Sequence, residues 1–442
     1  MSKMTIALVG ILLLPALAPG QEVDLHQAVS EAAEQRPFAR AARARSQAAE
    51  AAADEARGRY LPQLTLEEGY RRTSQPGNGL FIALNQEDFT LQPSEELYTT
   101  RENFATRLTL RQPLFNSDIY FGQRRARDHA RAAQAEASWG AEKAAFAAFR
   151  AYLDVQRARA ARDAAQSSRA EAAEVLRMAR VHHEAGVGMK ADVLRAGVAL
   201  SEAENRLLTV ENDLTLARRR LALAMGRPGD EVEIAAALKP ASFAGEIDSL
   251  ALRRGDLEAL AYRTAAMREA RRQAKAAYLP KLGADAVYEM HDPDTPFGDQ
   301  GQHWSVNLGL SWTLFDGLQR EKRRNRAEAE YLAARQEHLE ALRSTRLQVE
   351  EAVLRAAEAE AHLTTARRAV AEATESHRLL RERYAAGLSD LSDLLAVRAA
   401  LDRARVQAVS AESRLILALG NIRFQKGVFL QTLLADKESV RE

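Results

Sequence analysis

The chain is written twice, and each copy joins short alternating segments to very long stretches free of proline. Tyr60-Leu61-Pro62-Gln63-Leu64 returns as Tyr278-Leu279-Pro280-Lys281-Leu282, and Leu114-Phe115-Asn116 returns as Leu314-Phe315-Asp316. Ala185-Gly186 followed by Asp192-Val193-Leu194 returns as Ala386-Gly387 followed by Asp393-Leu394-Leu395, and the run Leu221 to Gly226 matches Leu415 to Gly420. A tandem duplication restricts architecture more than any single residue does. The copies are offset by 218 residues at Pro62/Pro280, 200 at Phe115/Phe315, 201 at Asp192/Asp393 and 194 at Gly226/Gly420. The first fall lies between strands, where a loop tip tolerates insertion at small entropic cost. The last, on this alignment, removes one heptad from within a helix, which keeps a packing seam in phase.

All twelve prolines lie outside 114–227 and 297–442. The pattern predicts one long helix from about Ser117 to His183, ended by Gly186 and Gly188, and a second from about Leu318 to Ala385, ended by Gly387. At 1.5 Å per residue each is about 100 Å long. Alanine recurs every seventh residue at 130, 137, 144, 151, 158, 165, 172 and 179. The second copy answers with Thr345, Ala352, Ala359, Ala366, Ala373 and Leu380, flanked by Leu342, Val349, Ala356, Leu363 and Val370. The returning helices carry Val193, Leu200, Leu207, Leu214 and Leu221 in one copy and Leu394, Leu401, Ala408 and Leu415 in the other. A strict heptad with small residues predicts closely spaced, left-handed antiparallel hairpins. An ordinary coiled coil fits the helices equally well, so the strands must discriminate.

Trp304, Val306, Leu308, Leu310, Trp312 and Leu314 alternate with Ser305, Asn307, Gly309, Ser311 and Thr313, the period-two pattern of a strand with one apolar face. Eight residues separate the tryptophans, about 26 Å along a strand, and aromatic girdles about 25 Å apart mark outer-membrane barrels. Leu282, Ala284, Ala286 and Tyr288 alternate likewise, as do Phe104, Leu108 and Leu110. Leu64, Leu66 and Tyr70 share a face, with Glu68 as the exception, and Arg107, Thr109 and Arg111 take the face a watery lumen accommodates. A half-buried soluble sheet is the competing reading. Four strands with open edges cannot sit in lipid, so the chain must oligomerise. Two copies give eight strands, whose side chains fill the bore; three give twelve and leave a channel. The count favours three.

Lys3, the apolar run Ile6 to Leu14 and small residues around Ala16, Ala18 and Gly20 form a secretory signal pattern, too short to span a bilayer. With no cysteine, disulfides, thiol chemistry and a lipid-bearing cysteine at the mature N-terminus are excluded. A net charge of +1, from 62 basic and 61 acidic residues, gives no reason to expect nucleic acid as a partner. No phosphate loop, nucleophile elbow or metalloprotease motif is present, so no enzyme activity, cofactor or metal is expected. Adjacent His182 and His183 point about 100° apart on a helix and make poor co-ligands. His291, Asp292, Asp294, Asp299 and His303 lie around a strand connection, where a metal site competes with an ordinary acidic loop.

Helix, strand pair, long helix, glycine turn and returning helix, all repeated, resemble the TolC-type outer-membrane efflux protein family over nearly the whole mature chain. The likeness rests on the two Tyr-Leu-Pro-x-Leu turns, the Gln112-Pro113-Leu114-Phe115 turn with its variant Trp312 to Phe315, and the glycine hairpins. It implies a mainly α fold with a transmembrane β portion: a trimeric twelve-stranded barrel, four strands per chain, continued by a periplasmic α-helical coiled-coil tunnel. The expected division is a signal peptide at 1–20, a first repeat at 21–227 with strands about 60–75 and 103–115, an equatorial linker at 228–255, a second repeat at 256–435 with strands about 279–291 and 303–315, and a polar tail at 436–442. The implied function is a passive exit duct of tripartite efflux or type I secretion in the outer membrane of a Gram-negative bacterium. It docks, on this resemblance, with a periplasmic adaptor and an RND- or ABC-type inner-membrane transporter. The competing class is a non-transporting periplasmic or cell-surface coiled-coil scaffold. The sequence does not name the cargo.

The resemblance also places a gate at the inner mouth. Asp192 matches the acid of the first hairpin, Tyr384 the tyrosine that meets it, and Asp393 an aspartate ringing the narrowest point. Ser389 stands where an arginine pairs with the first acid, and Ala396 where a second aspartate ring is found. The gate is then looser here, or held by other partners such as Asp390 or Lys190. Against this, each aspartate lies in the first turn of a helix, where a carboxylate meets the dipole favourably, and Tyr384 falls on the heptad seam. Trp304, Val306, Leu308, Leu310 and Trp312 are the expected lipid-facing residues.

Overall fold

The computed structural model describes residues 22–88, 100–243 and 252–439; the signal segment and the end of the tail lie outside them. The order is β1 (Glu22–Val23), α1 (Leu25–Gln35), α2 (Pro37–Gly58), β2 (Gln63–Thr73), α3 (Pro76–Asn85), β3 (Arg101–Phe115), α4 (Ser117–Glu184), α5 (Lys190–Met225), β4 (Glu233–Ile234), a 3₁₀ turn (Pro240–Phe243), α6 (Gly255–Ala276), β5 (Lys281–Asp292), β6 (Gly301–Ser311), α7 (Gln319–Ala385), α8 (Leu391–Lys426) and α9 (Phe429–Ser439). Two compact units take parts of both repeats: 1–41, 138–254 and 344–442 form one, and 42–137 with 255–343 the other.

The helices α4 and α7 are 68 and 67 residues long and unbroken by proline, and the first unit holds α4 from residue 138 and α7 from residue 344. The alanine ladder lies inside: Ala144, Ala151, Ala165, Ala172 and Ala179 are buried on α4, and Thr345, Ala352 and Ala359 on α7. Side chains this small bring helix axes close, and the larger Leu214 and Leu221 on α5 and Leu394, Leu401 and Leu415 on α8 fill the seam. The largest core joins α1, the middle of α4, the end of α5, β1, β4, α8 and α9 through Val23, Val29, Phe149, Tyr152, Leu221, Met225, Ile234, Ile416 and Phe429. Phe424 stacks between Phe146 and Trp139, with ring centroids 4.4 and 4.8 Å away.

One expectation is corrected here. No heptad is missing from the second hairpin: α5 and α8 are both 36 residues long. Gly226 and Gly427, 201 residues apart, are the matching C-caps, each left-handed with φ of 86° and 74°. In both, the following residue donates to a carbonyl one turn back, Arg227 N to Ala222 O at 2.9 Å and Val428 N to Arg423 O at 3.0 Å. Gly420 is mid-helix and serves another purpose. A Cβ on it would lie 2.4 Å from the Phe149 ring, so glycine there admits an aromatic core residue.

In the second unit one antiparallel sheet runs β2-β3-β5-β6. Its registers pair Leu66 with Leu108, Leu108 with Tyr288, and Tyr288 with Trp304. Pro113, which cannot donate to a ladder, sits at the register shift between β3 and β5. The sheet is joined to helices at one end: Ser117 Oγ, opening α4, donates to Ala276 O of α6 at 3.0 Å, and Lys281 of β5 pairs with Asp118 at 2.5 Å. Ala132 and Ala135 of α4 pack on Ala259 of α6. Among the described residues no helix is long and apolar enough to cross a membrane.

Candidate functional site

Because strand side chains alternate, the registers sort the sheet into two faces. The even-numbered face carries Leu64, Leu66 and Tyr70; Phe104, Leu108 and Leu110; Leu282, Ala284, Ala286 and Tyr288; and Trp304, Val306, Leu308 and Leu310. It is uncovered: Trp304 is 77% exposed, and Val306, Leu308 and Leu310 are nearly as open. Aromatic rings collect at its two ends. Tyr70 and Phe104 pack with centroids 4.9 Å apart, and Tyr288 lies opposite Trp304. Trp312 falls one residue beyond β6, and its indole donates to Tyr278 O at 3.0 Å. That leaves an amphipathic ring with its polar atom satisfied, beside exposed Leu314 and Phe315.

The odd-numbered face is polar. Arg107 pairs with Glu289, Asn307 Nδ2 donates to Asp285 Oδ2 at 3.0 Å, and Arg111 lies opposite Asp285. The exception, Glu68 on the apolar face, accepts a short hydrogen bond from Thr106 Oγ1. β2 and β6 are the edges of the sheet. Their outward backbone groups need partners wherever water is absent.

The helix-hairpin turns make a second constellation. Gly186 and Gly387, at φ of 77° and 70°, reverse the chain. Tyr384 is buried among Val175, Leu176, Ala179, Ala196, Leu391 and Leu394, with the His182 ring 5.2 Å from its own. Burial, and then the negative charge of Asp192, push its phenol above the ordinary tyrosine value. Asp192 and Tyr384 are thus brought together within one chain, and Arg195 lies 3.8 Å from the acid. Asp393 is exposed in the first turn of α8. Ser389 does not supply the missing cation, and its buried hydroxyl finds no partner among the described residues. Lys190 and Asp390 are exposed.

Sequence reasoning overlooked a buried cluster two turns into α8. Arg398 is 5% exposed and donates to the Ser168 carbonyl and, at 2.9 Å, to its hydroxyl. Ser168 Oγ donates to Asp402 at 2.8 Å, and Arg405 lies 3.6 Å from Glu171. Arg398 interrupts no visible motif; its signal was a single charge on the apolar stripe of α8.

His291 and His303 stand 5.7 Å apart, but His291 Nδ1 meets Asn103 and His303 Nε2 meets the Asn85 carbonyl. Among the described residues no three His, Cys, Asp or Glu are grouped as metal ligands. His183 bonds to the Gly188 carbonyl at 3.1 Å.

A family model described as outer membrane efflux protein matches residues 28–227 and 247–427. No curated protein matches the chain by sequence. Among solved structures, the outer-membrane channel OprN is 21% identical, with 92% of this chain and 90% of that one covered at a TM-score of 0.75. The CmeC outer membrane channel of Campylobacter jejuni is 13% identical, with 98% and 97% covered at 0.78. The open state of the MtrE outer membrane channel of Neisseria gonorrhoeae is 18% identical, with 92% and 89% covered at 0.78.

Proposed function

This chain belongs to the outer membrane efflux protein family, and from that premise we propose that three copies close a twelve-stranded barrel by joining each β6 edge to a neighbour's β2. The family works in tripartite efflux assemblies and forms trimers, and this chain is an outer-membrane exit duct, not a coiled-coil scaffold. The observation that carries the trimer reading is the two-faced sheet: a continuous apolar even face with aromatic ends, a charged odd face, and two unpaired edges. Lipid takes the first face, water the second, and the neighbouring chains the edges. The protein then resides in the outer membrane of a Gram-negative cell after removal of an export signal over 1–20, without a lipid anchor. The energy for transport comes from an inner-membrane transporter of RND or ABC type, reached through a periplasmic adaptor. Purified in detergent, the protein should run as a heat-dissociable trimer. A stable monomer in plain buffer would overturn the reading.

At the periplasmic mouth, Asp192 and Tyr384 hold the two hairpins of one chain together, and Asp393, with no partner among the described residues, faces its two threefold mates. Three carboxylates converging on an axis attract cations. In planar bilayers Asp393→Ala should raise conductance and weaken block by divalent cations. Unchanged conductance together with unchanged block would remove Asp393 from the gate.

A further inference from the structure

The connection between β2 and β3 does not stay at the rim of the sheet. Its helix, α3, reads Pro-Gly-Asn-Gly-Leu-Phe-Ile-Ala-Leu-Asn and has no charge. By hydrophobicity alone such a segment belongs with the apolar, even face. It lies on the polar, odd one.

Several contacts fix it there. Gln86, just past its end and 2% exposed, donates from Nε2 to the Glu102 carbonyl at 2.8 Å and to Asn103 Oδ1 at 3.0 Å. Asn103 Nδ2 in turn meets His291 Nδ1 at 3.0 Å, and His303 Nε2 meets the Asn85 carbonyl at 2.8 Å. Asn103, His291 and His303 are all odd-face residues on β3, β5 and β6. Gly301 is pressed against the helix end, since a Cβ there would fall 1.9 Å from the Asn85 carbonyl oxygen. The helix contacts β3 and β6, so it crosses the sheet to the edge strand. Ile82 and Ala83 are buried beneath it, whereas Phe81 is 65% and Leu84 42% exposed.

We infer that α3 is an outer constriction of the duct: one copy from each chain lies inside the bore at the end away from the helices and turns Phe81 and Leu84 toward its two threefold mates. This rests on the odd face being the lumen of a three-chain barrel. A helix reaching β6 from β2 ends beside the seam where the next chain joins, and among the described residues no apolar surface covers its open face, which leaves another copy to meet it. Ten uncharged residues offer no repulsion at the axis. A helix with side chains is about 10 Å across, and an apolar ring inside a water-filled pore impedes ions by dewetting. The outward end of the duct is therefore narrowed by a segment of the barrel chain itself, pinned by Gln86, Asn103 and His291.

The chain has no cysteine, so single-cysteine variants report cleanly. In the purified trimer, Phe81→Cys should crosslink chain to chain with a short bis-maleimide, at least tenfold more than Leu308→Cys on the opposite face. Adding Gly301→Val, which drives the Asn85 carbonyl off the strand, should abolish that crosslink while the trimer persists. A trimer in which Phe81→Cys fails to crosslink and reacts instead with a lipid-partitioned maleimide overturns the constriction. So does crosslinking that survives Gly301→Val. Failure to form any trimer overturns the barrel reading instead, and the two results are told apart by size in detergent.

Discussion

Glu142 sits on α4 where α9 begins, and its carboxylate accepts the Leu430 backbone N–H at 3.1 Å. The hydrogen bond and the helix N-terminus favour the charged form, but burial outweighs them and pushes the group from 4.5 up to about 7. A folded pKa above the unfolded one means that the folded state holds the proton longer. Stability is then full below about pH 4.5, declines as pH rises toward 7, and stays reduced above it, by about 3 kcal/mol. Glu142→Gln keeps an acceptor without a charge. It should raise the unfolding temperature at pH 8 and flatten its decline between pH 5 and 8. An unchanged pH profile would count against the assignment. Arg398 works in the opposite sense, as a cation whose burial is tolerated only because Ser168, Asp402 and Glu171 surround it. Arg398→Met leaves those acceptors unmatched, a cost of about 3 kcal/mol. Limited proteolysis at the α7–α8 turn should become markedly faster, and Ser168→Ala should cost less, because the Ser168 carbonyl still accepts.

The long helices and their seams were legible in the sequence because proline exclusion and an alanine heptad are one-dimensional signals. The four strands were legible because period-two alternation survives without knowledge of partners. Two features were not. Gly226 and Gly420 look alike in sequence, yet one supplies a left-handed cap and the other makes room for Phe149; in the second copy it is Gly427 that takes the place of Gly226. α3 was hidden because Gly-Asn-Gly reads as a turn, and because its place is set by Gln86, Asn103 and His291, residues far apart in the sequence with no motif in common. The caps yield a graded test. Gly186→Ala meets open space and carries only the backbone penalty of positive φ, about 1 kcal/mol. Gly427→Ala adds a collision, because its Cβ would lie 2.6 Å from Arg254 N and 2.7 Å from Arg253 O. Chemical denaturation should rank Gly427→Ala well below Gly186→Ala. Equal losses would mean the close approach is not maintained in solution.

For the whole molecule, everything depends on which way β6 faces, and neighbouring residues give opposite answers. Leu308 lies midway between Trp304 and Trp312 on the even face, the depth at which a charge in lipid is most costly. A lysine there is expected to cost about 2–4 kcal/mol. Asn307, one residue away, faces Asp285 across β5 and looks into the bore. Leu308→Lys should therefore sharply reduce assembly of heat-modifiable trimer, whereas Asn307→Lys should assemble normally and shift the channel's selectivity toward anions. A soluble half-buried sheet also loses stability with lysine at 308, but it gives neither a detergent-borne trimer to count nor an ion selectivity for Asn307→Lys to shift. One residue of register separates the two outcomes, because a slip of one exchanges every lipid-facing side chain with a lumen-facing one. Trimer yield at 308 and ion selectivity at 307 together fix the orientation on which the closed barrel and the proposed inward position of α3 rest.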